Sequence, residues 1–113
     1  MLESLFTAIQ SFSPVMQQAV LYSFYMASGR RAADYANRRD LSAACADRRN
    51  YAAIRAEEYF STGAGHYNTL RTVAMLTGAS AKEIHAATRA ADNMVNAADG
   101  YISINGVNFG LLF

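Results

Sequence analysis

The 113-residue chain has one cysteine, one proline, one lysine and no tryptophan. Because Cys45 stands alone, a disulfide within the chain and a thiolate metal cluster built by one copy are both excluded. Cys45 lies among alanines, which favours a small buried apolar side chain over a nucleophile. The formal net charge is only +1, so no overall field points to a nucleic acid or a membrane as the partner.

Charged side chains are absent from residues 4–29. This stretch is nevertheless a poor membrane span, because Pro14 and several glutamines and serines interrupt it. Its densest apolar part, residues 15–27, is shorter than the about 20 residues that a bilayer requires. No basic segment precedes it, so a cleavable signal peptide is not expected. We therefore predict no transmembrane span, and a cytoplasmic or virion location.

Motifs that carry catalysis or metal binding are also missing. The chain has no His-Glu-x-x-His, no Cys-x-x-Cys, no Asp-rich calcium loop, no nucleophile elbow and no paired Glu-x-x-His of the di-iron type. Gly63-Ala-Gly65 lacks the lysine of a phosphate-binding loop and is better explained as the end of a helix. We expect a non-enzymatic protein with no catalytic residue, no metal and no cofactor.

The composition of the chain, 52% hydrophobic and 17% charged, suits one folded domain over residues 1–113. Residues 2–12 have the spacing of a short amphipathic helix. Ser13-Pro14 then predicts an N-cap and the first position of a second helix, which is apolar on nearly every side. Such uncharged helices within residues 1–29 belong in the core of their own chain or at an intersubunit surface. A membrane-active role for residues 2–27 is a further alternative.

Residues 30–62 are rich in alanine and arginine, which favour helix. A helix of about 30 residues would be roughly 45 Å long. Its larger apolar residues form no single stripe, which indicates contact from more than one side. We expect the glycines of residues 61–65 to end it. An alternative is a break near Asp40, with Asp40 or Ser42 capping a second helix.

Two further helices are predicted within residues 66–99. The first stops at Thr77-Gly78. The second opens at Ser80-Ala-Lys-Glu83, a capping box in which the serine and the glutamate satisfy free amides of the first turn. Its docking face is predicted to comprise Ile84, Ala87, Ala91, Met94 and Ala98.

Residues 100–113 change in pattern, because Asn105-Gly106 lies between short runs of alternating apolar residues. This is a strong signal for a β-hairpin. An isolated hairpin is barely stable, so the segment must lean on its own helices or add an edge to a neighbouring subunit.

The sequence thus predicts an all-α fold, a helical bundle or extended helical hairpin around one long helix, with a small C-terminal β-hairpin or extended tail. We interpret it as a structural or assembly subunit of a homo-oligomer, with a phage or other virion component as one class. The predicted interface residues are Phe12, Val15, Val20, Phe24, Ile84, Met94, Tyr101, Phe109, Leu112 and Phe113.

The alternative function is contact with a nucleic acid. Three arginine pairs could bind phosphates, although acidic residues interleave with them and nearly neutralise the segment. The residues concerned are Arg30, Arg31, Arg38, Arg39, Arg48 and Arg49.

Overall fold

A computed structural model describes residues 2–38 and 46–113. Within these residues the chain is mostly helical and ends in a small antiparallel sheet, as the sequence predicts. The elements are helices α1 (Leu2–Ala8), α2 (Pro14–Ala36), α3 (Ala46–Thr77) and α4 (Ala81–Met94), followed by strands β1 (Val95–Asn96), β2 (Tyr101–Ile104) and β3 (Val107–Gly110).

Helix α2 begins as the sequence predicts, because the Ser13 side chain accepts a hydrogen bond from the Met16 amide and proline takes the first helical position. The predicted boundary at residue 30 is wrong. The helix passes through Gly29 and ends at Ala36. Gly29 faces the ring of Phe60, and a Cβ atom there would lie 2.6 Å from the ring. This glycine therefore permits a close helix contact and does not end the helix.

Helix α3 is 32 residues long, and the predicted helix end at residues 61–65 is wrong. Gly63 and Gly65 lie inside the helix, and Gly63 packs against Met26 and Tyr25 of α2. The helix predicted to start after residue 66 is the second half of α3. Its predicted stop is correct, since Gly78 follows Thr77 with a φ of 72°. The alternative break near Asp40 falls outside the described residues.

Helices α2 and α3 form an antiparallel hairpin. Gly29 lies against Phe60, and the Tyr22 and Tyr67 rings are 5.1 Å apart. A later position in α2 thus contacts an earlier position in α3, so the two helices run in opposite directions. Helix α2 also packs against α4 and supplies five of the twelve residues in the buried cluster, more than any other element. The buried cluster comprises Leu5, Ile9, Ala19, Val20, Leu21, Phe24, Ala27, Leu70, Ala91, Ile102, Ile104 and Leu111. The uncharged N-terminal helices thus pack in the core of their own chain.

Helix α4 opens with the predicted cap, in which the Ser80 hydroxyl accepts a hydrogen bond from the Glu83 amide at 3.2 Å. The hydroxyl in turn donates a hydrogen bond to the Glu83 carboxylate. In the predicted capping box that carboxylate would accept from the Ser80 amide, whereas here it accepts from the Ser80 hydroxyl. The predicted helix up to residue 99 is wrong, because α4 ends at Met94 and residues 95–96 pair with β2. A turn closed by the Gly100 amide on the Asn96 carbonyl, with Gly100 at a φ of 80°, reverses the chain.

The predicted hairpin is present. Ile104 pairs with Val107 across Asn105 and Gly106, which have φ values of 52° and 80°. Both values lie in the left-handed region that two-residue hairpin turns require. Ile102 and Ile104 point into the core, and Leu111 of the following tail is buried with them. Of the two alternatives for this segment, the structure shows the one in which it packs on its own chain.

Candidate functional site

Arg31 ties the C-terminal tail to α2. Its Nε donates a 2.8 Å hydrogen bond to the carbonyl of Phe113, and its Nη1 donates to the carbonyls of Ala97 and Ala98. Gly100 lies directly beside the guanidinium, where an added Cβ atom would be 3.1 Å from Nη2. Arg31 therefore serves the fold, since its donors are directed at backbone carbonyls of its own chain.

An open cleft of about 490 Å³ lies around this contact, and we call it the arginine cleft. Arg30 and Asp34 lie about one turn apart on one side of α2, and Arg38 follows two residues beyond the end of the helix. The Tyr35 and Phe113 rings meet edge to face at 5.6 Å in its wall. The lining residues are Arg30, Arg31, Asp34, Tyr35, Arg38, Ala97, Ala98 and Phe113.

A second hollow of about 220 Å³ adjoins the arginine cleft and shares Tyr35 and Phe113 with it. Its other lining residues, Arg48 and Tyr51, belong to α3. The antiparallel hairpin thus brings an arginine of α3 close to those of α2. The combined surface has basic side chains from two helices around an aromatic wall.

The six predicted phosphate contacts are therefore only partly brought together. Arg30, Arg31 and Arg38 share one cleft and Arg48 lines the hollow beside it. Arg49 is directed elsewhere, because its Nη1 donates to the backbone carbonyl of Arg38 at 3.3 Å. Arg39 lies outside the described residues.

On the exposed side of α3, Arg55 stacks on Tyr51. Its guanidinium carbon lies 5.1 Å from the centre of the Tyr51 ring, and its Nε donates to the Tyr51 hydroxyl at 3.0 Å. Its Nη1 also pairs with Glu58 at 2.5 Å. Exposed pairs of this kind contribute little to stability, because solvent screens them, so the group is a surface feature and not a site.

His66 occupies a half-buried position between α2 and α3. Its Nδ1 lies 2.8 Å from Oε1 of Gln18, and its ring stacks on Tyr25 at 5.5 Å. Burial lowers the pKa of His66, and it raises the pKa values of Tyr25 and Tyr59. Nothing in this pattern provides a nucleophile beside a base. In residues 2–38 and 46–113, no three His, Cys, Asp or Glu side chains are grouped so that they could hold a metal ion.

The predicted interface residues are less exposed than contact with a neighbouring subunit would require. Val20 and Phe24 are 0% and 2% exposed, so in this fold they have no surface to offer to a neighbour. The remaining eight residues are half-buried, and most of them pack against the core. They are Phe12, Val15, Ile84, Met94, Tyr101, Phe109, Leu112 and Phe113.

Sequence reasoning missed the side of α3 that faces away from α2. Ile54, Met75 and Leu76 are 57%, 76% and 79% exposed, whereas Ala52, Ala56, Gly63, Leu70 and Ala74 form the buried side. We call the outermost line of this side the outer α3 face, defined as Ile54, Glu58, Ser61, Gly65, Thr69, Thr72 and Leu76, all exposed. At 3.6 residues per turn these seven positions fall within about 80° of the helix circumference.

The signal for this face was available in the sequence as steps of three and four from Ile54 to Leu76. It is weak, because apolar residues occur only at the two ends. The glycines between them also indicated a helix end, which divided the stripe into two segments.

None of the helices in the described parts of the chain has the length and apolar content needed to cross a membrane. The predicted membrane-active residues 2–27 direct Leu5, Ile9, Val20 and Phe24 into the core. In comparisons of sequence and of structure, no protein-family model matches the chain, and neither does any curated protein or solved structure.

Proposed function

We propose that the protein is a structural subunit that associates with copies of itself through the outer α3 face. The observation that supports this proposal best is the 79% exposure of Leu76 on that face, beside Met75, which is 76% exposed just outside it. Ile54, 57% exposed, lies at the other end of the face. Adjacent large apolar side chains such as Met75 and Leu76 favour a contact surface, whereas single scattered ones are not informative.

The surface on which we place self-association differs from the one predicted from the sequence. The sequence assigned self-association to the uncharged N-terminal helices and the apolar tail, but their apolar side chains are largely taken up by the core. In helix α3, by contrast, the buried residues lie on one face, as far as residues 2–38 and 46–113 show. The apolar surface that remains for a neighbour therefore lies chiefly on α3.

Light scattering coupled to size-exclusion chromatography tests the proposal. At micromolar concentration we expect a dimer or a larger oligomer, and we expect Leu76→Gln to shift it towards the monomer. Val107→Gln is the matched control, because it removes another exposed apolar side chain, 55% exposed, from the hairpin. A native protein that remains monomeric at about 100 µM, a concentration far above typical subunit dissociation constants, would contradict the proposal.

A phage or other virion component is a narrower form of the same proposal. Such a subunit would build shells, rings or filaments, which negative-stain electron microscopy would show. Small discrete oligomers alone would contradict the virion form and leave self-association in place.

Contact with a nucleic acid is the second candidate function. The observation that favours it is the placement of Arg30 and Arg38 in one open cleft with Arg48 beside it, while Asp34 is the acid among the described residues that line the cleft. Arginine binds phosphate through a planar fork of donors, and each phosphate contact makes binding more sensitive to salt.

Binding of a labelled single- or double-stranded oligonucleotide at about 50 mM and about 200 mM salt tests this candidate. We expect affinity to fall steeply with salt, and the double variant Arg30→Gln, Arg48→Gln to bind more weakly. Arg89→Gln, on the exposed side of α4, is the matched control. No binding at the lower salt concentration would exclude the nucleic-acid function.

A further inference from the structure

Gly65 makes no close contact, in the part of the chain that the structure describes, that would require a glycine. It lies in the middle of α3 with its surface exposed, and a Cβ atom added there would meet no heavy atom within 4 Å. Glycine inside a helix costs about 0.5–1 kcal/mol relative to alanine. Gly29 and Gly63 offset that cost through close contacts with Phe60 and Met26. No such contact offsets the cost at Gly65, which indicates that something outside the chain approaches the helix there.

Gly65 also lies at the midpoint of the outer α3 face. Ile54 precedes it by eleven residues and Leu76 follows it by eleven. Eleven residues are about three helical turns and about 16 Å, so both apolar side chains lie on the same side as Gly65 and at equal distances from it. A twofold axis beside Gly65 would therefore place Ile54 of one copy against Leu76 of a second copy, at both ends of the contact.

Charges beside the outer α3 face, on one side of it, distinguish antiparallel from parallel pairing. Glu57 lies eight residues before Gly65 and Arg71 lies six residues after it, and both are exposed. Their positions differ by only about 40° around the helix. In an antiparallel pair Glu57 faces Arg71 of the second copy, twice by symmetry. In a parallel pair Glu58, which lies on the outer α3 face itself, would face Glu58 of the second copy, and like charges repel.

We propose that two copies pair through the outer α3 face as an antiparallel, twofold-symmetric helix pair that crosses at Gly65. This inference rests on the proposed self-association and adds the partner, the direction and the register. The contact is isologous, meaning that the same patch is used by both subunits. Small side chains around the crossing, Ser61 and Thr69, allow the helix axes to approach to about 8 Å.

Disulfide trapping tests the register. In a Cys45→Ala background, which removes the native thiol, Gly65→Cys is expected to form a covalent dimer under mild oxidation, because the twofold axis brings the two Cβ atoms to the short separation that a disulfide needs. Ile54→Cys alone is expected to stay largely uncrosslinked, since its two copies lie about 33 Å apart along the helices. A mixture of the Ile54→Cys and Leu76→Cys proteins is expected to crosslink.

A second variant tests the close approach without a thiol. Gly65→Arg has room in the monomer and suits a helix, so the fold is expected to remain intact by circular dichroism. The bulky side chain would separate the helices and weaken association by at least about tenfold, equivalent to about 1.4 kcal/mol. Ala86→Arg, which adds the same side chain to an exposed position of α4, is the matched control and should not change association.

The outcomes separate this inference from the proposed function. A monomeric native protein would overturn both. A native dimer in which Ile54→Cys crosslinks to itself, or in which Gly65→Arg has no effect, would overturn the antiparallel crossing at Gly65 while self-association stands.

Discussion

Nε of Arg31 donates a hydrogen bond of 2.8 Å to the backbone carbonyl of Phe113, 82 residues further along the chain. The contact joins the second half of α2 to the C-terminal tail and forms part of the wall of the arginine cleft. Arg31, which the sequence pattern alone assigned to phosphate binding, thus donates to a backbone carbonyl of its own chain. Its neighbour Arg30, one position earlier, is exposed.

This difference predicts that Arg31→Met destabilises the protein, whereas Arg30→Met does not. Arg31→Met would leave the carbonyls of Phe113, Ala97 and Ala98 without their charged donor. The expected loss in the free energy of unfolding is about 1.5–3 kcal/mol, measured by urea denaturation at a fixed protein concentration. Arg30→Met is expected to stay within about 0.5 kcal/mol of the native protein. Equal losses for the two variants would contradict the tail-binding role.

Ser28 provides a second anchor for the tail. Its buried hydroxyl accepts a hydrogen bond from the Leu112 amide at 3.0 Å and donates one to the Phe24 carbonyl at 2.8 Å. Ser28→Ala should therefore lower the free energy of unfolding by about 1–3 kcal/mol, because the amide is left unpaired. Hydrogen exchange of that amide should also become faster. Ser61→Ala, on the outer α3 face, is the control and should leave the exchange unchanged.

Gly29 and Gly65 should respond in opposite ways to alanine. At Gly29 the new Cβ atom would lie 2.6 Å from the Phe60 ring, so the ring must move. A loss of about 1–3 kcal/mol in the free energy of unfolding is expected for Gly29→Ala. At a protein concentration too low for pairing, Gly65→Ala meets nothing in the monomer and should gain about 0.5–1 kcal/mol. Urea denaturation of both variants at one protein concentration decides this, and a stabilising Gly29→Ala would show that the α2–α3 contact is looser than described.

The depressed pKa of His66 predicts a dependence of stability on pH. Burial lowers this pKa in the folded state below its usual value of about 6.5, which the unfolded chain retains. The unfolded chain therefore binds a proton more readily over this interval. The contribution to stability is present above about pH 6.5 and is lost as the pH falls through the folded pKa.

We expect His66→Gln to show a smaller loss in the free energy of unfolding between about pH 7.5 and pH 5 than the native protein. His85→Gln is the control, because His85 is exposed on α4. The measurement is a series of urea denaturations across that range. If both variants lose stability as steeply as the native protein, His66 is not the group that titrates.

Short-range signals were reliable guides to the ends of elements. Ser13-Pro14, Ser80 with Glu83, and Asn105-Gly106 each lie where the sequence predicts, because each is satisfied within about four residues and needs no partner from elsewhere. Thr77-Gly78 belongs to the same class, since the positive φ of Gly78 stops the helix locally. These motifs act through the backbone, and their energies depend little on the rest of the fold.

Glycines inside helices were misinterpreted for a physical reason. Gly63 and Gly78 are the same residue type near similar neighbours, yet one lies inside α3 and the other ends it. The roughly 1 kcal/mol that an internal glycine costs is easily offset when another helix packs closely against it. At Gly63 that helix is α2, with Met26 and Tyr25 in contact, and α2 is distant in sequence.

The arginine cleft was predictable only in part. Arg30 and Asp34 share a side of α2 because their spacing of four residues is close to one turn, whereas Arg38, two residues past the helix, joins them only in the folded chain. The approach of Arg48 depends on how α2 and α3 pair. The role of Arg31 depends on where the C-terminal tail packs on α2, and no pattern of neighbouring residues in the sequence predicts that packing.

The sequence by itself determined that this chain is mostly helical, where several helices begin and end, and that the chain closes with a hairpin. Those features follow from backbone conformations and caps that act over a few residues. Only the tertiary structure decided which apolar side chains are covered: Val20 and Phe24 became core, and Ile54, Met75 and Leu76 stayed exposed. Burial depends on which distant segments meet, and residues of equal hydrophobicity are equally able to lie inside or outside until those segments pack.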